Sequence, residues 1–206
     1  MLLRVELPDR PGALGQVATA MGSVGADISA IQIVEKRPDG KVVDDFMLEL
    51  PPAAMTESIV TACAALEGVR VLWLSRYPDQ LGIESDIEVI HKIAERPQQG
   101  AITLTQEAPP VFHCHWAALL DTKDGRSLAS TQNAPAFTRA QLDALLPFDV
   151  TVRRDMSEHW LPGWGEIEIA QTTLANGQLL ILGRQGGPQF LDSELLRLRH
   201  LAQLAD

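Results

Sequence analysis

Within residues 1–77 the apolar side chains switch repeatedly between a period of two and a period near 3.6, with turn residues at the switches, and this succession is the tightest constraint on the fold. Leu3, Val5 and Leu7 alternate and predict one strand face. Leu14, Val17, Ala18, Met21 and Val24 follow at spacings of 3, 1, 3 and 3, a helical stripe that Gly25 is placed to end in a left-handed conformation. Residues 28–35 read as a second strand. Pro38-Asp39-Gly40-Lys41 is a tight turn, and beyond it Phe46, Leu48 and Leu50 share a face of a third strand over 42–50, so the pair is a hairpin. Pro51-Pro52 stops that strand. Met55, Ile59, Ala62, Cys63 and Leu66 recur at helical spacing, Gly68 closes the helix, and residues 69–74 form a fourth strand. The order βαββαβ predicts a four-stranded antiparallel sheet with both helices on one face and open edges.

Residues 75–85 carry Pro78 and Gly82 among polar side chains and read as a junction. The expected division is a domain over 1–77, a linker over 78–85 and a second α+β domain over 86–206. In that second domain Ile83, Ile87, Ile90, His91 and Ala94 predict the apolar stripe of a helix ended by Pro97. Strands are expected over 102–106 and 111–121, separated by Pro109-Pro110, then around 150–153, 166–174 and 179–184. Asp124-Gly125 marks a turn, and helices are expected over 139–146 and 192–204. There is no internal repeat.

Composition narrows the class. Hydrophobic residues make up 46% of the 206 and charged residues 21%, enough apolar side chain for a core. The longest charge-free stretch, residues 11–26, has 16 residues and four glycines, short of the about 20 apolar residues of a membrane span. Arg4, Glu6, Asp9 and Arg10 interrupt the N-terminal segment, so no signal-peptide pattern is present, and a cytoplasmic protein without a membrane partner is expected. The net charge is −10, with 7 basic against 11 acidic residues over 1–80 and 10 against 16 over 81–206, which disfavours nucleic acid as a partner. Two cysteines, Cys63 and Cys114, make no disulfide framework and are expected as buried thiols.

Three features of residues 1–77 together resemble the ACT family of small regulatory ligand-binding domains. They are Asp9-Arg10-Pro11-Gly12-Ala13-Leu14-Gly15 after the first strand, Gly25-Ala26-Asp27-Ile28 before the second, and the βαββαβ order itself. From the residues alone, a helix N-terminus with free amides at Gly12 to Leu14 favours a carboxylate, and Asp9 beside it could hold an ammonium, so one loop could read both ends of a free amino acid. The resemblance implies amino-acid binding between two protomers of a homodimer, contacted by the first strand–helix loop of one and by the start of the second strand of the other. The matching positions are Asp9, Arg10, Pro11, Gly12, Ala13 and Leu14, and then Asp27 and Ile28. Family members that take small hydroxy amino acids commonly have Asn where this chain has Asp9 and Asp27, and His where it has Leu7. The alternative for Asp9 is a helix cap, and for Asp27 a turn carboxylate satisfied by local amides.

The second domain is similar to GAF domains in its opening helix, its strand–turn–strand run AALLDTKDGRSLAS and its closing helix FLDSELLRLRHLAQLA. The segment His159-Trp160-Leu161-Pro162-Gly163-Trp164 could line a pocket there, or its tryptophans could serve packing. His113-Cys114-His115 on a strand would put both histidines on one side and the cysteine on the other, so a third metal ligand is missing and half-buried strand histidines are expected. Cys114 as a redox thiol has no second cysteine in its domain. No hydrolase elbow, P-loop or dinucleotide fingerprint occurs, and Gly183-Arg184-Gln185-Gly186-Gly187-Pro188 reads as a loop. The expected protein is α+β, a ferredoxin-like ACT domain followed by a GAF-like domain with an antiparallel sheet. It is expected to be a non-catalytic sensor of an amino acid, without cofactor or metal, acting on a partner enzyme. A pure dimerisation or docking protein, and an enzyme with an unrecognised site in the second domain, are the alternatives.

Overall fold

The structure is a computed structural model and describes residues 1–52, 54–75, 83–148, 150–157 and 159–206. The chain divides into two compact units, residues 1–79 and 80–206. Of the expected linker, residues 78–82 lie outside the described residues. Among the described residues no helix is long and apolar enough to cross a membrane.

The first unit runs β1 (Leu2–Pro8), α1 (Ala13–Ser23), β2 (Asp27–Lys36), β3 (Lys41–Glu49), α2 (Thr56–Ala64) and β4 (Arg70–Ser75). The sheet order is β2-β3-β1-β4, every pair antiparallel, so β1 and β2 point the same way on either side of β3. The period-two face of β1 meets β3 in the register Leu3 to Phe46, Val5 to Asp44 and Leu7 to Val42. Leu3, Val5, Leu7, Val42, Phe46 and Leu48 close the core against Ala13, Val17 and Met21 of α1 and Ile59 and Cys63 of α2. Leu14, expected in that stripe, is instead 37% exposed, because α1 buries the positions four apart that begin at Ala13. The opposite face of β1 is also withdrawn from solvent, with Arg4 and Glu6 buried, and Arg4 reaches its cross-strand partner Asp45 through two bonds of 2.7 and 2.8 Å.

The second unit runs α3 (Ile83–Glu95), a 3-10 turn (Pro97–Gln99), α4 (Gly100–Phe112), β5 (Trp116–Asp121), β6 (Ser127–Ser130), α5 (Arg139–Asp143), β7 (Val152–Met156), β8 (Ile167–Thr173), β9 (Gln178–Gln185) and α6 (Asp192–Leu204). Its antiparallel sheet has the order β6-β5-β9-β8-β7. One face packs under α3, α4 and α6; the other is covered by an apolar cluster that includes Leu142, Leu145, Trp160 and Leu161.

Two expectations are corrected here. Residues 102–106 are not a strand, and Pro109-Pro110 do not separate two strands: both lie inside α4, and β5 starts only at Trp116. Leu104, Ala108, Val111 and Phe112 recur at helical spacing and are all buried, which outweighs the strand preference of Ile102, Thr103 and Thr105 and the intrahelical bonds that the prolines give up. The helix closes at His113, left-handed at φ 49°, with the Cys114 amide donating to the Pro109 carbonyl at 3.1 Å. The expected stripe of α3 is on the wrong side. Val89 and Ile93 are buried, whereas Ile87 is 60% and Ile90 41% exposed, since α3 carries two apolar stripes and its contacts with α4 and α6 select the shorter one.

Trp116 lies directly opposite Gly183 in the register of β5 and β9, its indole covering the glycine backbone. A β-carbon at Gly183 would overlap Cε2 and Cζ2 of Trp116. Gly183→Ala is therefore expected to lose about 2–3 kcal/mol of stability through overpacking, read by urea denaturation followed by tryptophan fluorescence. A loss under about 0.5 kcal/mol, the range of ordinary surface changes, would show that the indole has room to move aside.

Candidate ligand-binding site

The loop between β1 and α1 is held at both ends and open in the middle. The Asp9 amide donates to the Gly40 carbonyl at 2.9 Å, tying the loop to the β2–β3 hairpin, and the Ala13 amide donates to Arg10 at 3.2 Å. Gly12 has φ 88°, which a side chain rarely adopts, and the space where its β-carbon would stand is empty to 4 Å. Arg10, Pro11 and Gly12 are exposed, and Ala13 is buried in the core. Among the described residues no side chain caps α1; the Ala13 amide is spent on Arg10 and the Gln16 amide on the Gly12 carbonyl at 3.0 Å, so the amides of Leu14 and Gly15 are the first-turn donors left for a ligand.

Asp9 is neither a helix cap nor unengaged. Its carboxylate takes the Lys36 ammonium at 3.1 and 3.4 Å, an exposed pair at the end of β2. Asp27 and half-buried Ile28 sit at the other end of the same strand, where Asp27 pairs in register with Glu49. Ten residues of strand span about 30 Å, so one protomer does not bring Asp27 to the Asp9 loop.

Asp44 is the residue that the sequence reading missed. It is 2% exposed, and its Oδ1 is sealed from solvent without a hydrogen-bond partner among the described residues. Burial first, then the charges of Asp45 and Asp9, push its carboxyl up to about 6 from an ordinary 3.8, with Lys36 pulling the other way. The signal was present: Phe46 and Leu48 alternate onto the core face of β3, and the same alternation carries Asp44 there. The acids of the opposite face differ sharply. Glu6 meets Arg37 at 2.5 Å, Lys41 at 2.9 Å and Arg70 at 3.2 Å. Burial alone would raise its carboxyl, but the Lys41 hydrogen bond and the charges of Arg70, Lys41 and Arg37 outweigh this and hold it below the usual range.

The second unit places its sequence candidates in packing roles. His113 ends α4, and the exposed His115 accepts the Gln185 amide on Nδ1 at 3.0 Å, so the two do not share a strand face. Although the residue as a whole is exposed, desolvation of its ring, whose Nδ1 is turned onto the Gln185 amide, and then the nearby Arg184 lower the His115 pKa. Among the described residues no group of three or more His, Cys, Asp or Glu is placed to hold a metal. Burial pushes the Cys114 thiol up to about 12, where it is not a nucleophile. Trp160 donates from Nε1 to the Gln141 carbonyl at 2.9 Å, and half-buried Trp164 meets Trp116 edge-on at 6.4 Å.

The first unit is matched by the family model described as ACT domain, over residues 1–68, which takes in both loops and α2 and ends before β4. No curated protein matches the chain. Among solved structures, one titled "Crystal Structure of an Unknown Protein from Galdieria sulphuraria" is similar at 12% identity and a TM-score of 0.28, covering 97% of this chain and 89% of that one.

Asp44 has a measurable energetic signature. Its folded pKa lies above the unfolded value, so the native state binds more protons between about pH 4 and pH 6 and loses stability as pH rises through that window. Asp44→Asn is expected to stabilise the protein by on the order of 2–3 kcal/mol at pH 8, with the gain vanishing near pH 4. Urea unfolding at the two pH values measures this; a gain of the same size at both would remove ionisation as its cause.

Proposed function

We propose that the protein is a non-catalytic regulatory sensor that binds a free amino acid at the ACT loop as a homodimer and passes the change to a partner protein. The observation that carries this reading is the open turn at Gly12. A left-handed glycine with empty space over its α-carbon precedes an uncapped eleven-residue helix, which favours a carboxylate at the α1 amides. Acidic side chains nearby suit the ammonium end of the same molecule.

The dimer is supported by the edge strand. On β2, Ile31 is 41% and Ile33 56% exposed, and such an edge is a template for pairing. Two copies joined antiparallel through β2 near Ile31 and Gln32 set Asp27 of the partner subunit opposite Lys36 and the Asp9 loop. A single chain does not achieve that approach. For the second unit we retain a GAF-like reading, supported by the strand order β6-β5-β9-β8-β7 with three helices on one face. A non-catalytic role accords with the buried, high-pKa Cys114 and with the structural hydrogen bond of His115.

Light scattering at micromolar concentration is expected to give a dimer, and Ile33→Lys a monomer with its fold intact. In a thermal-shift screen of the twenty L-amino acids, one at 100 times its dissociation constant stabilises the protein by about 2.7 kcal/mol. Gly12→Val abolishes that shift, because a branched residue strains the turn and fills the loop. Asp27→Ala weakens binding by about 2 kcal/mol if its charge is withdrawn from water at the dimer edge. A protein that dimerises but responds to none of the twenty is a docking module instead.

A further inference from the structure

Of the carboxylates near the ACT loop, the one with a cation already on it is Asp9, held by Lys36 at 3.1 Å. The one with a buried oxygen, Oδ1, that no donor meets among the described residues is Asp44. It lies one strand in from the open edge, opposite Val5 on β1 and Ile33 on β2, on the face that α1 covers. On β2 that same face carries the exposed Ile31 and Ile33 and then, beyond a bulge, Lys36 opposite Val42. Asp44 is thus roofed by the helix layer and flanked by side chains that reach solvent.

Resting on the amino-acid-binding reading above, we propose that Asp44, and not Asp9, receives the ligand's ammonium group, and that the site selects molecules carrying a cationic amine. A buried carboxylate with an empty acceptor is costly unless something positive is delivered to it, and the one lysine acting on Asp44, Lys36, is paired with Asp9. A free amino acid brings that charge together with a carboxylate for the α1 amides. The Asp9–Lys36 pair then acts as a rim that orders the loop. The charged groups facing Asp44 are few: Asp9 from the β1–α1 loop, Lys36 from β2 and Asp45 from its own strand. Over it, α1 has no ionisable side chain, the Glu57 of α2 is exposed, and the Cys63 thiol is raised further by burial.

The test uses the full chain and whichever of the twenty L-amino acids gives the largest thermal shift, measured by calorimetry at pH 8 and pH 5. Asp44→Asn, which keeps the shape and removes the charge, weakens binding at pH 8 by at least about 30-fold, the lower end for loss of one member of a buried charge pair. Asp9→Asn changes it by less than about threefold, as for an exposed ion pair. Wild-type affinity falls about tenfold from pH 8 to pH 5, as a carboxyl with a pKa of about 6 takes up its proton, while Asp44→Asn stays flat. Equal affinity in wild type and Asp44→Asn overturns the assignment and leaves amino-acid binding standing. No binding to wild type by any of the twenty overturns both. Should Asp44→Asn not fold, a wild-type affinity unchanged between the two pH values overturns the assignment by itself.

Discussion

Each unit is tied by one arginine taken wholly out of water, and the placement of the surrounding elements follows from what that guanidinium must reach. Arg184 donates to the Phe112 carbonyl at 2.8 Å, to His113 at 3.1 Å and to Pro188 at 2.9 Å, and it meets Glu194 at 2.9 Å while its plane lies 4.0 Å over the Phe190 ring. The last carbonyls of α4 have no intrahelical donors, so the arginine closes that end and draws it to the start of α6. Glu194 uses its other oxygen on the Leu191 amide at 2.7 Å. Such a pair adds little net stability over an apolar replacement; its effect is that wrong arrangements leave a charge buried and alone. Arg4 does the same across β1 and β3 with Asp45. The end of α4 is fixed by this clasp, β5 then starts at Trp116, and the indole meets Gly183, whose neighbour in sequence is Arg184 itself.

The parts of the fold that could be read from the sequence are those in which local pattern and tertiary contact agree. Leu3, Val5 and Leu7 alternate and are buried; the Pro38–Lys41 turn joins β2 to β3; residues 192–204 read as a helix and are α6. Disagreement appears where two signals compete on the same residues. In α4, the β-branched Ile102, Thr103 and Thr105 precede two prolines, which reads locally as a strand and a break. Burial of four side chains at helical spacing decides otherwise, and the Thr105 hydroxyl donates to the Ala101 carbonyl, as helices permit. In α3, either stripe could have faced inward, and nothing local separates Ile87 and Ile90 from Val89 and Ile93. The candidate site shows the same division. Its loop is legible, because Gly12 and the helix start are local features. Asp44 is legible only after the face of β3 is known, and the Lys36 contact with Asp9 joins residues 27 apart in sequence.

The charge arrangement of the first unit limits what its loop can accept. Seven basic residues stand in residues 1–80. Arg4 is committed to Asp45, and Arg37, Lys41 and Arg70 converge on Glu6, all on the sheet face turned away from α1. Lys36 meets Asp9, Arg10 lies exposed in the loop, and Arg76 falls outside the described residues. The sheet is thereby polarised: three cations around one buried acid on one side, and on the other a buried acid with a single lysine nearby, already engaged. An anion without an amine would meet the α1 amides favourably but leave Asp44 either protonated or uncompensated. Under the assignment proposed above, a zwitterion would satisfy both, its carboxylate on the helix amides and its ammonium on Asp44. On that proposal, the acid whose burial costs stability is the group with most to gain from an incoming cation, which is how a stability defect in a core can be kept for recognition.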